Sequence, residues 1–156
     1  MVKRIDAVLA DVPFFVGLSG DELELLAGCA ANVHFGQGDV LFREGDPANS
    51  FFVVRGGTVA LETHVPARGG MTIETIDAGE VIGWSWLFAP YRWHFDARAI
   101  TPIRATVFDG SCLRGKCEAD PALGFALMSR FAQVLIERLQ WTRLRLLDVF
   151  GDDRPR

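Results

Sequence analysis

The segment GDVLFREGDPANSFFVVRGGTVAL, Gly38 to Leu61, decides the fold of this chain. Short runs rich in Val, Leu and Phe alternate in it with EGDPAN and RGG, which are turn sequences. Glycine at Gly45 and at Gly56 or Gly57 suits tight reversals, because glycine adopts a positive φ without a steric penalty. The segment therefore predicts short strands joined by tight turns.

The same alternation extends from Asn32 to Asp109. Its strand-like segments are NVHF, DVLFRE, SFFVVR, TVALE, MTIETI, ARAI and RATVFD, separated by glycine-rich turns. Many short strands at regular spacing are typical of an antiparallel sandwich or barrel. The prediction is a mainly β fold.

Helical patterns flank the β region on both sides. Ile5, Val8 and Leu9 predict a first helix before Pro13. In LSGDELELLAGCA, Ser19 is a predicted N-cap and Glu22 stands where a capping box needs it. Helices, a compact β unit and helices again indicate a single domain.

The chain ends in two further predicted helices. A short one covers 111–119, and a long one begins after the cap at Asp120 and covers about 121–149. We predict one domain over 1–150 and a polar tail over 151–156.

The long C-terminal helix carries an apolar seam of the coiled-coil kind. Its members follow each other at alternating intervals of four and three residues: Met128, Ala132, Leu135, Leu139, Thr142, Leu146 and Val149. A second stripe contains Leu127, Phe131 and Val134. One stripe can cover the β region while the seam meets a second copy, so we predict a homodimer. The alternative, one wide stripe buried on its own domain, stays open.

Composition excludes several function classes. The 156 residues carry a formal net charge of -4, which argues against a protein that grips phosphate backbones. After Phe150 only GDDRPR follows, too little for a helix-turn-helix, so we expect no direct contact with nucleic acid. No leader and no apolar run of about eighteen residues occur, so we expect a cytoplasmic protein without membrane contact. Whether the chain is a fragment of a longer regulator stays open.

Neither the cysteines nor the histidines form a site pattern. Cys29, Cys112 and Cys117 lack zinc or disulfide spacing, so we expect reduced thiols that pack as small apolar side chains. The histidines stand far apart at 34, 64 and 94, and we expect no metal. Without a nucleophile or phosphate-loop motif, we predict no enzyme; a cupin-like enzyme is the less favoured alternative.

The order of these segments resembles the cyclic nucleotide-binding domain of the catabolite-activator type. The resemblance runs from VPFFVGLSGDELELLA through VHFGQGDVLFREGDPANSFFVVRGGTVALE and DAGEVIGWSWL to ARAITPIRATVFDG and EADPALGFALMSRF, nearly the whole chain. It implies an antiparallel, jelly-roll-like β-roll with N-terminal helices and a long C-terminal dimerisation helix. It also implies a cassette in which a short helix, here from Gly83 to Leu87, offers its amides to the cyclic phosphate.

The cassette departs from the family pattern. The glutamate that accepts from the ribose in such domains is replaced by Trp84, which has no acceptor. The family's Pro-Arg pair becomes Arg92-Trp93, so arginine comes one position early and should point to the opposite face of an extended segment. His94 and Phe95 replace small residues. The candidate ligand-binding residues are Gly83, Trp84, Ser85, Trp86, Arg92, Trp93 and His94.

Three interpretations of the aromatic cassette are open. In the first, a cyclic nucleotide binds through the helix amides and Arg92, with a tryptophan stacked on the base. In the second, the protein's own aromatic side chains fill the pocket. In the third, the pocket takes another anion, a flat hydrophobic effector, or haem through His94. We predict a non-enzymatic regulatory or sensory module that has lost the ability to bind cyclic AMP and cyclic GMP and that acts through contacts with a second copy or a protein partner. The alternative is a true cyclic nucleotide receptor. A cyclic nucleotide is the one candidate cofactor.

Overall fold

The computed structural model describes residues 4–151, with side chains as far as Val149. The tail predicted over 151–156 lies outside the described residues except for Gly151. The helices are α1 Ile5–Leu9, α2 Gly20–Ala27, α3 Gly110–Ala119 and α4 Pro121–Gly151, with 3₁₀ turns at Pro13–Phe15 and Ser85–Leu87. The strands are β1 Ala30–Phe35, β2 Val40–Phe42, β3 Ser50–Gly56, β4 Val59–Val65, β5 Gly69–Ile76, β6 Val81–Ile82, β7 Asp96–Ala99 and β8 Ile103–Asp109.

The strands form two four-stranded antiparallel sheets. One sheet has the order β1-β8-β3-β6 and the other the order β2-β7-β4-β5. Except for β4 and β5, which pair as a hairpin in the second sheet, consecutive strands cross between the sheets, as in a jelly roll. The predicted β-roll with helices at both ends is confirmed, and each predicted strand segment contains a strand. Strand β6 was not predicted, because its two residues are too few to show a period.

The turn between β3 and β4 depends on Gly57. Its φ is +94°, and a Cβ added there would lie 2.3 Å from the carbonyl oxygen of Pro102. Gly45 also has a positive φ, +87°. Of the two glycines considered for the β3–β4 turn, Gly57 is the one that needs to be glycine, and it lies where the chain passes from the first sheet to the second.

The helices cover the outer face of the first sheet. Ser19 caps α2 as predicted: its hydroxyl accepts from the amide of Glu22, whose carboxylate accepts from the amide of Ser19. Phe51 of β3 and Phe108 of β8 stack beneath the helices with ring centroids 4.4 Å apart. Burial of apolar surface on both sides of this sheet stabilises the arrangement of helices and roll.

A second apolar core fills the space between the two sheets. Its members come from strands of both sheets, from the turn between β2 and β3, and from the segment before β7. They are Phe42, Ala48, Phe52, Val54, Val59, Leu61, Ile76, Ile82, Trp93, Phe95, Ala97, Ala99, Ile103 and Ala105. We call this set the roll interior. The candidate site is built against these residues.

The expectation of reduced cysteines is wrong for two of the three. Cys29, between α2 and β1, and Cys112, in α3, form a disulfide with an S–S distance of 2.00 Å. They are 83 residues apart in sequence, and the pairing of β1 with β8 brings them together: the amide of Asp109 donates to the carbonyl of Cys29 over 2.9 Å. Sequence spacing carries no trace of this contact because it is purely tertiary.

Helix α4 buries one stripe and leaves another open. The carboxylate of Asp120 accepts from the amide of Leu123, so Asp120 caps the helix. Leu127 and Phe131 are fully buried on the domain, and from Leu139 to Val149 every side chain is exposed. Within residues 4–151 no helix, α4 included, is long and apolar enough to cross a membrane.

Candidate functional site

The site begins where β6 ends at Gly83. Gly83 has a φ of +99°, and a Cβ added there would lie 2.8 Å from the ring of Trp93. The chain can make this bend beside a large indole only because the residue is glycine. Gly83 and Trp93, two of the predicted cassette residues, are therefore in direct contact.

The predicted cassette helix from Gly83 to Leu87 is wrong in extent. The structure has one 3₁₀ turn, Ser85–Leu87, with Trp84 at the N-cap and no side-chain cap. Ser85 is 3% exposed and lies within the turn. The indole of Trp86, within the turn, is fully buried against Phe51, with ring centroids 5.5 Å apart. The turn is closed by two bonds, from the amide of Leu87 to the carbonyl of Trp84 over 3.0 Å and from the amide of Phe88 to the carbonyl of Ser85 over 3.4 Å.

Trp93 lies in the roll interior and is 5% exposed. Its ring lies flat on that of Phe42, with centroids 3.7 Å apart and an angle of 8° between the planes. Phe95, two residues on, points the same way and contacts the edge of Trp84, with centroids 5.7 Å apart. The aromatic rings thus occupy the interior of the roll beside Gly83.

Arg92 and His94 point the other way. Both are exposed, and Nη1 of Arg92 donates to the carbonyl of Gly45 over 2.9 Å. The segment is extended here, so side chains alternate between the interior and the solvent. As expected from its position one residue early in the family pattern, the side chain of Arg92 faces the solvent and not the roll interior. His94, also a candidate residue, faces away from the roll interior.

Backbone hydrogen bonds hold this segment against the turn between β2 and β3. The amide of Trp93 donates to the carbonyl of Asp46 over 3.0 Å, and its carbonyl accepts from the amide of Gly45 over 2.9 Å. The amide of Ala48 donates to the carbonyl of Tyr91 over 2.7 Å. These bonds fix which side chain of the segment faces inward, so exchanging Arg92 for Trp93 would require a shift of backbone register.

Arg138 of α4 connects the long helix to the cassette. Its guanidinium lies 5.2 Å from the ring centroid of Trp84, donates to the carbonyl of Val81, and stands 3.7 Å from the carboxylate of Glu74. Burial lowers the pKa of Arg138, and the nearby carboxylates of Glu74, Glu80 and Glu137 oppose this shift. Trp84, which lacks an acceptor for a ribose, instead serves as a platform for this cation.

Arg114 of α3 holds the other end of the cassette. It donates to the carbonyl of Trp86 over 2.6 Å and to the side chain of Asn49 over 3.1 Å, and its guanidinium lies 4.6 Å from the ring centroid of Tyr91. Neither arginine was predicted from the sequence to lie at the cassette. For Arg138 a signal was present, since Leu127, Phe131, Val134 and Arg138 continue one stripe at intervals of four, three and four. For Arg114 no comparable pattern exists.

Within the described residues, no three His, Cys, Asp or Glu side chains converge as metal ligands. A cavity of about 580 Å³ lies outside the roll, between α4 and the β5–β6 region, with Phe14, Gln133, Glu137 and Trp141 in its wall. Arg138 and Arg114 connect the cassette to both C-terminal helices.

The predicted dimer seam lies on the open side of α4. Met128 is 44% exposed, Leu139 51% and Leu146 52%, while Leu135 is half-buried. The stripe formed by Leu127 and Phe131 faces the domain instead. The two predicted stripes are therefore separate faces, one packed and one free.

Comparisons with known proteins place these features in a family. The sequence profile of the cyclic nucleotide-binding domain matches residues 32–120, from β1 to the end of α3. A CRP-like cAMP-activated global transcriptional regulator of Mycobacterium tuberculosis is 25% identical over 151 residues. The match covers 97% of this chain and 66% of that regulator, so the chain spans just under two thirds of its length.

Solved structures with the same fold include two that cover most of the chain. A cyclic nucleotide-binding domain from Methylobacillus flagellatus KT superposes with a TM-score of 0.79 at 23% identity, over 93% of this chain and 82% of that one. The catabolite activator protein of Thermus thermophilus superposes with a TM-score of 0.71 at 22% identity, over 89% of this chain and 63% of that one. At these identities the likeness concerns the fold.

Proposed function

Because the chain belongs to the cyclic nucleotide-binding domain family, we propose that it is a regulatory module of that family whose roll interior is filled by its own aromatic side chains. In this proposal the module does not bind cyclic AMP or cyclic GMP. It acts through contacts made by α4, first with a second copy of itself and then with a protein partner. It is not an enzyme.

One observation carries the proposal: Trp93 is 5% exposed and stacked 3.7 Å from Phe42 in the roll interior. Burying a large apolar side chain stabilises a protein by about 1.5–3 kcal/mol, and a stacked aromatic pair adds about 0.5–1.5 kcal/mol. A nucleotide entering this space would have to displace the ring and lose that stabilisation. It would also find Arg92 outside, bound to the carbonyl of Gly45.

The proposal of action through α4 rests on its two faces. Leu127 and Phe131 bind the helix to its own domain, whereas Met128, Leu139 and Leu146 leave an apolar heptad face in solvent. Such a face is stable in water when a matching helix covers it. Arg138 links the same helix to Trp84, so a movement of α4 on its partner would reach the cassette.

The second candidate function is a true cyclic nucleotide receptor. The retained bend at Gly83 and the family membership favour it, as does the name of the Mycobacterium relative, which describes a cAMP-activated protein. In that case Trp93 must leave the roll interior and Arg92 must enter. Three further expectations stay predictions: that the chain does not contact nucleic acid, that it is located in the cytoplasm, and that it binds a protein partner.

Thermal unfolding with and without nucleotide distinguishes the two. A ligand that binds only the folded state raises Tm by mass action, so cyclic AMP or cyclic GMP at millimolar concentration should leave Tm of the parent unchanged if the interior is closed. A rise in Tm that disappears in Arg92→Ala would support the receptor instead. A rise that persists in Arg92→Ala would mean that a nucleotide binds without this arginine, and would equally overturn the proposal.

A further inference from the structure

We propose that the Cys29–Cys112 disulfide is a reversible redox site, opened by dithiol reductants and closed by disulfide oxidants. In the structure it links the end of α2 to α3. That this site regulates the protein rests on the proposed function above, because a regulatory module whose interior takes no nucleotide must respond to a different signal. The redox chemistry itself does not depend on that function.

The disulfide is accessible to a thiol. Both cysteines lie in the wall of an open cleft of about 490 Å³. Around the cysteines the wall contains the small residues Gly28, Ala30 and Ala31, together with the larger Asn49, Val107 and Asp109. Cys29 is 8% exposed and Cys112 is half-buried, which makes the sulfur of Cys112 the easier one to attack.

The exchange reaction balances with one dithiol per disulfide. A thiolate of the reductant attacks Sγ of Cys112, a mixed disulfide forms, and the electron pair of the broken S–S bond leaves on Sγ of Cys29, which takes up a proton. The second thiol of the reductant then attacks the mixed disulfide and releases Cys112. Two electrons and two protons pass from the dithiol, which becomes a disulfide, to the protein, which gains two thiols.

Opening the disulfide would release α3 on one side only. Toward the cassette, the amide of Gly110 still donates to the carbonyl of Asn49 over 2.8 Å, and Arg114 still donates to the carbonyl of Trp86. Toward α4, a Cβ on Gly124 would lie 3.2 Å from Cβ of Cys117, so the two helices are in close contact. The covalent link to α2 would be gone. Reduction should therefore loosen the α2–α3 junction and leave the roll intact.

Cys117 provides an internal control. It is a free thiol, and burial, together with the charge of Asp120, raises its pKa. A raised pKa lowers the thiolate fraction, so Cys117 is a poor participant in exchange. Cys117→Ser keeps the disulfide and removes this thiol, whereas Cys29→Ser and Cys112→Ser each remove the disulfide.

The first test measures the exchange in the folded protein. The purified chain is equilibrated with reduced and oxidised glutathione or with dithiothreitol, and thiols are trapped by alkylation and counted by mass. The pair should open and close without denaturant, identically in Cys117→Ser. A pair that opens only in denaturant, or that never forms with oxidised glutathione, would overturn the proposal.

The second test separates a switch from a structural staple. Hydrogen exchange is compared between oxidised and reduced protein, and Cys112→Ser serves as a reduced mimic. Amides of α3 and of the α2 C-terminus should exchange at least about tenfold faster after reduction, while those of β3 and β8 should not change. A uniform change along the chain, or none, would contradict the switch.

These outcomes are independent of nucleotide binding. A pair that fails to cycle overturns the redox site and leaves the filled interior standing. A cyclic nucleotide that raises Tm in either redox state overturns the proposed function and leaves the redox result standing.

Discussion

Trp93 and Arg92 divide one extended segment between the roll interior and the solvent. The sequence predicted that arginine would be out of register with the family pattern, because alternate residues of such a segment face opposite ways. It left open which side chain enters the roll, because a bulge could have restored Arg92. The hydrogen bonds of Trp93 and Tyr91 to the β2–β3 turn place Trp93 inside the roll and Arg92 outside it. These bonds are tertiary contacts, which the local sequence does not show.

Trp93→Ala should destabilise the protein strongly. The substitution removes a buried ring that stacks on Phe42 and leaves a cavity, which costs about 3–5 kcal/mol in a core. Trp141→Ala is the matched control, since that indole is 66% exposed and its loss should change the free energy of unfolding by less than about 0.5 kcal/mol. Urea denaturation measures both. Equal effects of the two substitutions would show that Trp93 is not packed as described.

Gly83→Ala tests the contact between the bend and Trp93. At Gly45, whose φ is also positive but where a Cβ would meet nothing within 4 Å, alanine should cost only the backbone penalty of about 1–2 kcal/mol. At Gly83 the clash with Trp93 should add about 1–3 kcal/mol. In a Trp93→Ala background this extra cost should vanish, which a double-mutant cycle in urea would reveal. Strict additivity would rule out the contact.

The thiol of Cys117 should react slowly. Burial and the carboxylate of Asp120 raise its pKa, so at pH 8 less of it is thiolate than in a free cysteine. Iodoacetamide should alkylate Cys117 in the oxidised protein more slowly than a model thiol, and the rate should rise as pH rises. Asp120→Asn, which keeps a good N-cap for α4, should increase the rate. A rate at or above that of the model thiol would contradict the burial.

Among the elements, α4 joins the cassette to the proposed dimer contact. Its two stripes were readable from spacing alone, and the capping box of α2 was equally legible because both signals are local. The role of Arg138 was missed because an arginine in a helix is usually read as surface. The extent of the cassette turn was also missed. Trp86 within it packs against Phe51, a long-range contact that the local sequence does not show.

Leu139→Glu should separate the proposed dimer. Leu139 is 51% exposed on the free face, and a carboxylate there would be buried between two helices. The dissociation constant of the dimer should rise by at least about thirtyfold, which corresponds to a loss of about 2 kcal/mol of binding free energy. Gln140→Glu adds the same charge beside the seam and should leave the association unchanged. Sedimentation velocity gives the answer, and a parent chain that sediments as a monomer would refute the seam.

For the whole molecule, turn sequences and strand composition predicted an antiparallel sandwich or barrel, and helical spacing and caps predicted the flanking helices. The resemblance to the family supplied the β-roll. What escaped prediction depends on distant parts of the chain meeting in space. The Cys29–Cys112 disulfide requires β1 to lie beside β8, and the filled interior requires Phe42 of β2 to lie under Trp93. Local patterns carry no information about such pairs until the fold is known.

The central claim is that aromatic side chains occupy the space a cyclic nucleotide would need. The most direct measurement is a crystal structure of the oxidised protein after soaking with millimolar cyclic AMP. The account predicts Trp93 stacked on Phe42, Arg92 at the carbonyl of Gly45, and no nucleotide density inside the roll. Nucleotide density between the two sheets, with Trp93 displaced from Phe42, would contradict it.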